Sequence, residues 1–107
     1  MEEKDVIAAL TALAQPARLQ VFRALVAVGE AGLTPGTMAD ALGLPAATLS
    51  FHLKELCSAG LITQERASRN LIYRAAYPRM NALLAYLTEN CCRGEACLDA
   101  ASVRCPC

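Results

Sequence analysis

Residues 38–62 read MADALGLPAATLSFHLKELCSAGLI, and the way this stretch divides decides the fold. Just upstream, Thr34-Pro35 has the chemistry of a helix start, Thr34 as N-cap and Pro35 in the first helical position. The helix it opens, PGTMADAL (35–42), is short and stops at Gly43. A second helix runs through ATLSFHLKELCSA (47–59) to Gly60. Leu49, Leu53, Leu56 and Cys57 fall on one stripe of it and give it a face to bury. Ala47, Thr48, Ser50, Phe51 and Lys54 point elsewhere. Two helices joined by a tight glycine-containing turn form a helix-turn-helix.

Downstream of Gly60 the period changes from helical to alternating. LITQE (61–65) and NLIYRA (70–75) read as strands around the polar turn RASR (66–69), a hairpin with an arginine-bearing tip. Upstream, DVIAALTALA (5–14) is an apolar helix with little polar face, the mark of an element covered on both sides. Gln15-Pro16 breaks it, and Pro16 suits the first turn of the next helix, PARLQVFRALVAVG. Leu19, Phe22, Leu25 and Val26 are expected to face inward there, with Gly29 ending the helix. Pro78 opens the last helix, PRMNALLAYLTENCC (78–92), on which Met80, Leu84, Leu87 and Cys91 share a stripe with Leu83 beside it.

The fold implied is mainly α with a small β-hairpin, a winged helix-turn-helix. Its terminal helices are too apolar to face water, so a homodimer through the N- and C-terminal helices is expected. Residues 1–92 form one DNA-binding and dimerisation domain in this reading, and residues 93–107 a flexible cysteine-rich tail.

Composition sets the limits of function. The 107 residues are 55% hydrophobic but only 5% aromatic, so aliphatic side chains must fill one core. No apolar run approaches the roughly 20 residues that span a bilayer, and the acidic start MEEKD does not resemble a secretory or transit peptide. A cytoplasmic protein with no membrane partner is expected. The net charge of zero conceals an uneven distribution. Residues 44–79 carry Lys54, Arg66, Arg69, Arg74 and Arg79 against Glu55 and Glu65, so only the middle of the chain invites a polyanion.

Three stretches, LAQPARLQVFRAL (13–25), MADALGLPAATLSFHLKELCSAGLI (38–62) and QERASRNLIYRA (64–75), together resemble the ArsR/SmtB family of bacterial metal- and metalloid-responsive repressors. The resemblance spans residues 10–76, and the terminal helices take the places of that family's dimerisation helices. It implies a homodimer that sits on double-stranded operator DNA and leaves when metal binds. It also implies where metal is not held. The third helix begins LTPGTMADAL, without the cysteines of the commonest arsenic site, and MNALLAYLTENCC lacks the histidine of the zinc site. What remains resembles the subgroup whose arsenic site is a Cys-Cys pair ending the last helix plus a third cysteine. In this chain those residues are Cys91, Cys92 and Cys97.

Weighed one by one, the candidates separate. In a helix-turn-helix the second helix enters the major groove, which assigns Ala47, Thr48, Ser50, Phe51 and Lys54 to DNA. Arg66 and Arg69 on the wing suit phosphate or minor-groove contacts. Pro45 stands where a side-chain N-cap is expected, so this helix starts uncapped. Ser50-x-His52 is not a nucleophile and base, because residues two apart on a helix do not face each other. With no other histidine in the chain, an enzyme reading has nothing to build on, and His52 reads as a satisfied, half-buried structural residue. Cys57 reads as a small buried hydrophobe.

Five of the six cysteines lie within residues 91–107. In a reducing compartment such clustering points to metal or redox chemistry, not to a disulfide framework. Cys91 extends the Met80–Leu84–Leu87 stripe and has a packing role open to it; Cys92 and Cys97 do not. Three thiolates without nitrogen or oxygen donors select a soft ion, and As(III) or Sb(III), which prefer three sulfurs in a pyramid, are the expected inducers. Cys105 and Cys107 can supply a fourth thiolate, form a second site, or be incidental. Two alternatives use the same thiols: a redox-sensing repressor, with Arg93 and Arg104 favouring thiolates, and a soft-metal-buffering protein, which would need neither wing nor recognition helix.

Overall fold

In the computed structural model, which describes residues 1–90, the chain runs α1 (Glu3–Leu13), α2 (Pro16–Val28), a single 3-10 turn (Gly29–Ala31), α3 (Pro35–Leu42), α4 (Ala46–Ser58), β1 (Ile62–Ala67), β2 (Asn70–Ala75) and α5 (Tyr77–Thr88). Mainly α with one antiparallel hairpin, it is a winged helix-turn-helix. The expected tail over 93–107, and with it Cys91, Cys92, Cys97, Cys105 and Cys107, lies outside the described residues.

Local chemistry sets the helix ends. Gln15 caps α2 by accepting the Arg18 amide on its side chain at 2.9 Å, and Pro16 occupies the first turn, where its missing N–H is no loss. Arg18 then donates from Nε to the Ala12 carbonyl at 2.7 Å, which pins the α1–α2 corner. Thr34 caps α3, accepting the Thr37 amide at 3.4 Å. Gly43 ends α3 in the left-handed conformation, at φ 65°. Pro45 occupies the N-cap of α4 with no side-chain hydrogen bond, as its chemistry requires.

The core gathers Val6, Ala9 and Ala12 of α1, Val21, Phe22 and Leu25 of α2, and Met38 of α3. Leu49, Leu53 and Leu56 of α4 join them, with Leu61, Ile62, Tyr73, Ala75 and Leu83. Leu25, Met38, Leu56 and Leu61 are fully buried. Each such side chain contributes about 1.5–3 kcal/mol of transfer free energy. Helices α1, α2 and α3 all pack on α4, and α4 packs on β1, so four elements hold the second helix of the motif.

Several sequence expectations are corrected. On α2, Leu19 is 43% exposed and Val21 takes its place in the core; both α1 and α3 press on this helix, which selects a different arc. On α5 the stripe divides: Met80 packs against the core and Leu83 beside it is buried, while Leu84 and Leu87 are each 54% exposed. That helix also ends at Thr88, short of Cys92. Thr88 Oγ1 donates to the Leu84 carbonyl at 2.8 Å, Glu89 is extended, and Asn90 turns left-handed at φ 58°.

The wing is longer and its turn tighter than expected. Register runs from Ile62↔Ala75 to Ala67↔Asn70, leaving Ser68 and Arg69 as a two-residue turn with Ser68 at φ 61°. Positive φ at a hairpin tip matches the twist of the flanking strands. Leu33 also pairs with Tyr73, an isolated bridge that the sequence reading did not contain.

Candidate nucleic-acid interface

Of the residues assigned to DNA from the sequence, Ala47, Thr48, Ser50, Phe51 and Lys54 are all exposed on α4. The opposite face, Leu49, Leu53 and Leu56, is at most 2% exposed. The helix therefore presents one complete surface outward while the other is locked into the core. Its first residue follows the uncapped Pro45, so amides of the first turn remain free of any side-chain cap. Such a terminus suits a phosphate oxygen.

Arg66 and Arg69 are exposed as well, but not on one turn. Arg69 is at the tip. Arg66 lies within β1, paired with Leu71, and by strand alternation shares its face with Ile62, whose neighbours Tyr73 and Ala75 are buried. It stands past the edge of the core on the face that, nearer the base, seals onto it.

The remaining basic residues of the middle segment have other duties. Arg74 Nη1 lies 2.7 Å from Glu65 Oε1, and its Nε donates to the Glu30 carbonyl at 2.6 Å. Glu65 is mostly in solvent and Arg74 half-buried, so the pair contributes little stability, but it removes Arg74 from the charge available to a polyanion. Arg79 is half-buried with its guanidinium beside Gly60. Lys54, Arg66 and Arg69 are left as the exposed cations of this segment.

His52 is 6% exposed, deeper than the sequence suggested, and its Nδ1 has no hydrogen-bond partner among the described residues. The expectation of a satisfied, half-buried histidine is overturned: Leu49, Leu53 and Leu56 carry the helix so far into the core that the next position is enclosed too. Its ring meets that of Phe51 edge-on, centroids 5.6 Å apart and planes at 60°. The helical period held the signal: position 52 is three residues after Leu49 and four before Leu56, on the same arc as both. Ser50 is exposed and His52 enclosed, so the two do not form a catalytic pair.

Cys57 is half-buried beside the core, and burial pushes its thiol pKa up. Tyr73 is raised by burial first and by the nearby Cys57 charge second. Neither is an activated thiol or phenol. Among the described residues no group of three or more His, Cys, Asp and Glu side chains gathers as a metal site.

A family profile described as a helix-turn-helix domain matches residues 13–65. Over 85 residues the chain is 31% identical to the HTH-type transcriptional regulator YgaV of Escherichia coli (strain K12), covering 79% of this chain and 84% of that protein. The chain belongs to the ArsR/SmtB family of winged helix-turn-helix transcriptional regulators. A second relative, the HTH-type transcriptional repressor SmtB of Mycobacterium tuberculosis (strain CDC 1551 / Oshkosh), is 37% identical over 67 residues, 63% of this chain. The chain spans about half the length of that relative, 47%.

Solved structures agree with the ArsR/SmtB assignment. A homodimeric winged helix-turn-helix DNA-binding domain from Mycobacterium bovis, described as a possible ArsR-family regulator, superposes with a TM-score of 0.65 at 29% identity, covering 81% of each chain. A possible transcriptional regulator for arsenical resistance superposes at 0.64 with 28% identity, over 74% of this chain and 79% of the other. No helix among the described residues is long and apolar enough to cross a membrane.

Proposed function

We propose that this ArsR/SmtB protein is a metalloid-responsive repressor. It holds operator DNA as a homodimer and releases it when As(III) or Sb(III) binds Cys91, Cys92 and Cys97. The observation that carries the DNA half is the outward face of α4, Ala47 to Lys54, exposed in full on a helix whose other face is sealed. Arg66 and Arg69 on the wing supply the phosphate or minor-groove contacts.

The dimer reading rests on apolar surface. Ile7 and Leu10 of α1 and Leu84 and Leu87 of α5 are 39–57% exposed on two helices that pack together. Large apolar side chains left exposed on adjacent helices suit an interaction site, and the M. bovis neighbour is a homodimer. Two recognition helices must then meet half-sites about 34 Å apart, so a change at the α1–α5 interface is felt at the DNA.

The inducer reading rests on the donor set. Three thiols within residues 91–97 offer soft ligands only, and a solved neighbour is described as a possible regulator for arsenical resistance. Linkage requires the metalloid to bind the DNA-free dimer more tightly; a coupling of about 1–3 kcal/mol weakens the operator roughly 5–150-fold.

The test is fluorescence anisotropy of a labelled duplex selected by the protein from a randomised pool. As(III) or Sb(III) is expected to release the wild type. Cys91→Ser, Cys92→Ser and Cys97→Ser should each bind the duplex and ignore the metalloid. Release by peroxide with no response to Sb(III) would make the protein a redox sensor instead.

A further inference from the structure

Phe51 is the one large apolar side chain that α4 leaves in solvent, 54% exposed where Leu49, Leu53 and Leu56 are at most 2%. A single exposed phenylalanine is ordinary on a protein surface; its surroundings are not. Ala47 and Thr48, four and three residues earlier, share its side of the helix and are exposed, and Lys54 follows one turn later. A methyl, a second methyl and a phenyl ring therefore form one strip. The ring is also braced, because the enclosed His52 imidazole meets it edge-on at 5.6 Å. That is the arrangement aromatic pairs prefer.

The polar inventory of α4 narrows what this strip can read. The helix AATLSFHLKELCS contains no Arg, Asn or Gln. Of the side chains that commonly pair with guanine or adenine in the major groove, it holds only Lys54, at the end of the strip. Thymine is the base whose major-groove edge carries an apolar group, its 5-methyl.

We infer that Phe51, with the methyl groups of Ala47 and Thr48, reads the 5-methyl group of a thymine in each operator half-site, making Phe51 a specificity-determining residue. The inference rests on the reading of α4 as the helix that enters the groove. Lys54 meets phosphate or a base acceptor beside the strip, and the Thr48 and Ser50 hydroxyls bond to neighbouring base edges.

The experiment uses the full chain and duplexes it selects from a randomised pool. Each selected duplex is resynthesised with deoxyuridine in place of thymine, one position at a time; pairing is kept and only the 5-methyl is lost. One thymine per half-site should weaken wild-type binding about fourfold when changed, the worth of one buried methyl, and about sixteenfold when both half-sites change. Phe51→Ala should bind the thymine duplex more weakly and lose most of the thymine–uracil difference, while Phe51→Leu keeps part of it. Because Phe51 is outside the core, both variants should keep the wild-type thermal midpoint. The inference is overturned if no thymine is sensitive to the change, or if Phe51→Ala retains the full penalty. It is equally overturned if Phe51→Ala alters the oligomeric state, which would place the ring against a second copy of the chain. Uracil-insensitive binding would leave α4 as the groove helix; failure to bind any duplex would remove that reading and this one with it.

Discussion

Leu33 and Tyr73 exchange both of their backbone hydrogen bonds, the Leu33 amide donating to the Tyr73 carbonyl at 3.0 Å and the Tyr73 amide to the Leu33 carbonyl at 2.9 Å. This bridge joins the segment before α3 to β2. The wing is therefore fastened to the helix-turn-helix at both ends: through the short turn after α4, and again through Leu33. Arg74 adds a clasp nearby, donating to the Glu30 carbonyl. A wing held at two points keeps Arg66 and Arg69 in a fixed relation to α4.

Gly32 makes that bridge possible, and its replacement should loosen the wing. It lies at φ 68° and ψ −178°, a region only glycine enters readily. A Cβ there would also come within 2.6 Å of the Tyr73 carbonyl oxygen and of Ile72 Cγ2. Gly29, at φ 76°, has open space around it. Gly29→Ala should cost about 1–3 kcal/mol of strain alone, and Gly32→Ala more, because backbone must move as well. Thermal melts of both variants check this; equal midpoints would mean that the close approach does not constrain the wing.

Removal of the wing charges should act on all sequences alike. Arg66→Ala with Arg69→Ala is expected to weaken binding to specific and non-specific duplexes by similar factors. The slope of log affinity against log salt should fall by about two, close to one unit for each phosphate that an arginine no longer neutralises. Anisotropy titrations at several salt concentrations measure it, and an unchanged slope would exclude the wing from the phosphate backbone.

The apolar residues of α5 should divide by face. Leu84→Glu and Leu87→Glu place charge on exposed positions and should shift the protein toward monomer in sedimentation, with loss of DNA affinity. Their effect on the thermal midpoint of the monomer should be small. Leu83→Ala removes a side chain that is 6% exposed and should instead cost about 2–5 kcal/mol of stability. A Leu84→Glu protein that remains dimeric would place the interface elsewhere.

Alkaline pH should destabilise the fold through Cys57 and Tyr73. Burial raises both groups above their ordinary values, and the Cys57 charge raises Tyr73 further. The unfolded chain then gives up these protons before the folded one does. Their contribution to stability is complete below the ordinary thiol value of 9.0 and is lost as pH rises through the folded values. Melts from about pH 8 to about pH 10.5 should show a falling midpoint, with a shallower fall in Cys57→Ala. Identical slopes in the two proteins would show that Cys57 takes no part.

Much of this architecture was legible because the signals are local. Thr34-Pro35, Gln15-Pro16, Gly43 and Gly60 act within a turn of where they stand, so they place helix ends whatever the rest of the chain does. The outward set on α4 was legible for a related reason, since Leu49, Leu53 and Leu56 leave only one arc for a core. Orientation was not legible where a helix is apolar on several sides. On α2 and α5 the period offered Leu19 and Leu84 as readily as Val21 and Leu83, and only the neighbours packed against each helix decided between them. The Leu33–Tyr73 bridge, the Arg74 clasp and the lack of a partner for His52 Nδ1 join residues far apart in the chain or depend on every layer around them. No local rule contains such pairings: they exist because the folded backbone brings those groups within hydrogen-bond distance, or takes them out of reach of water.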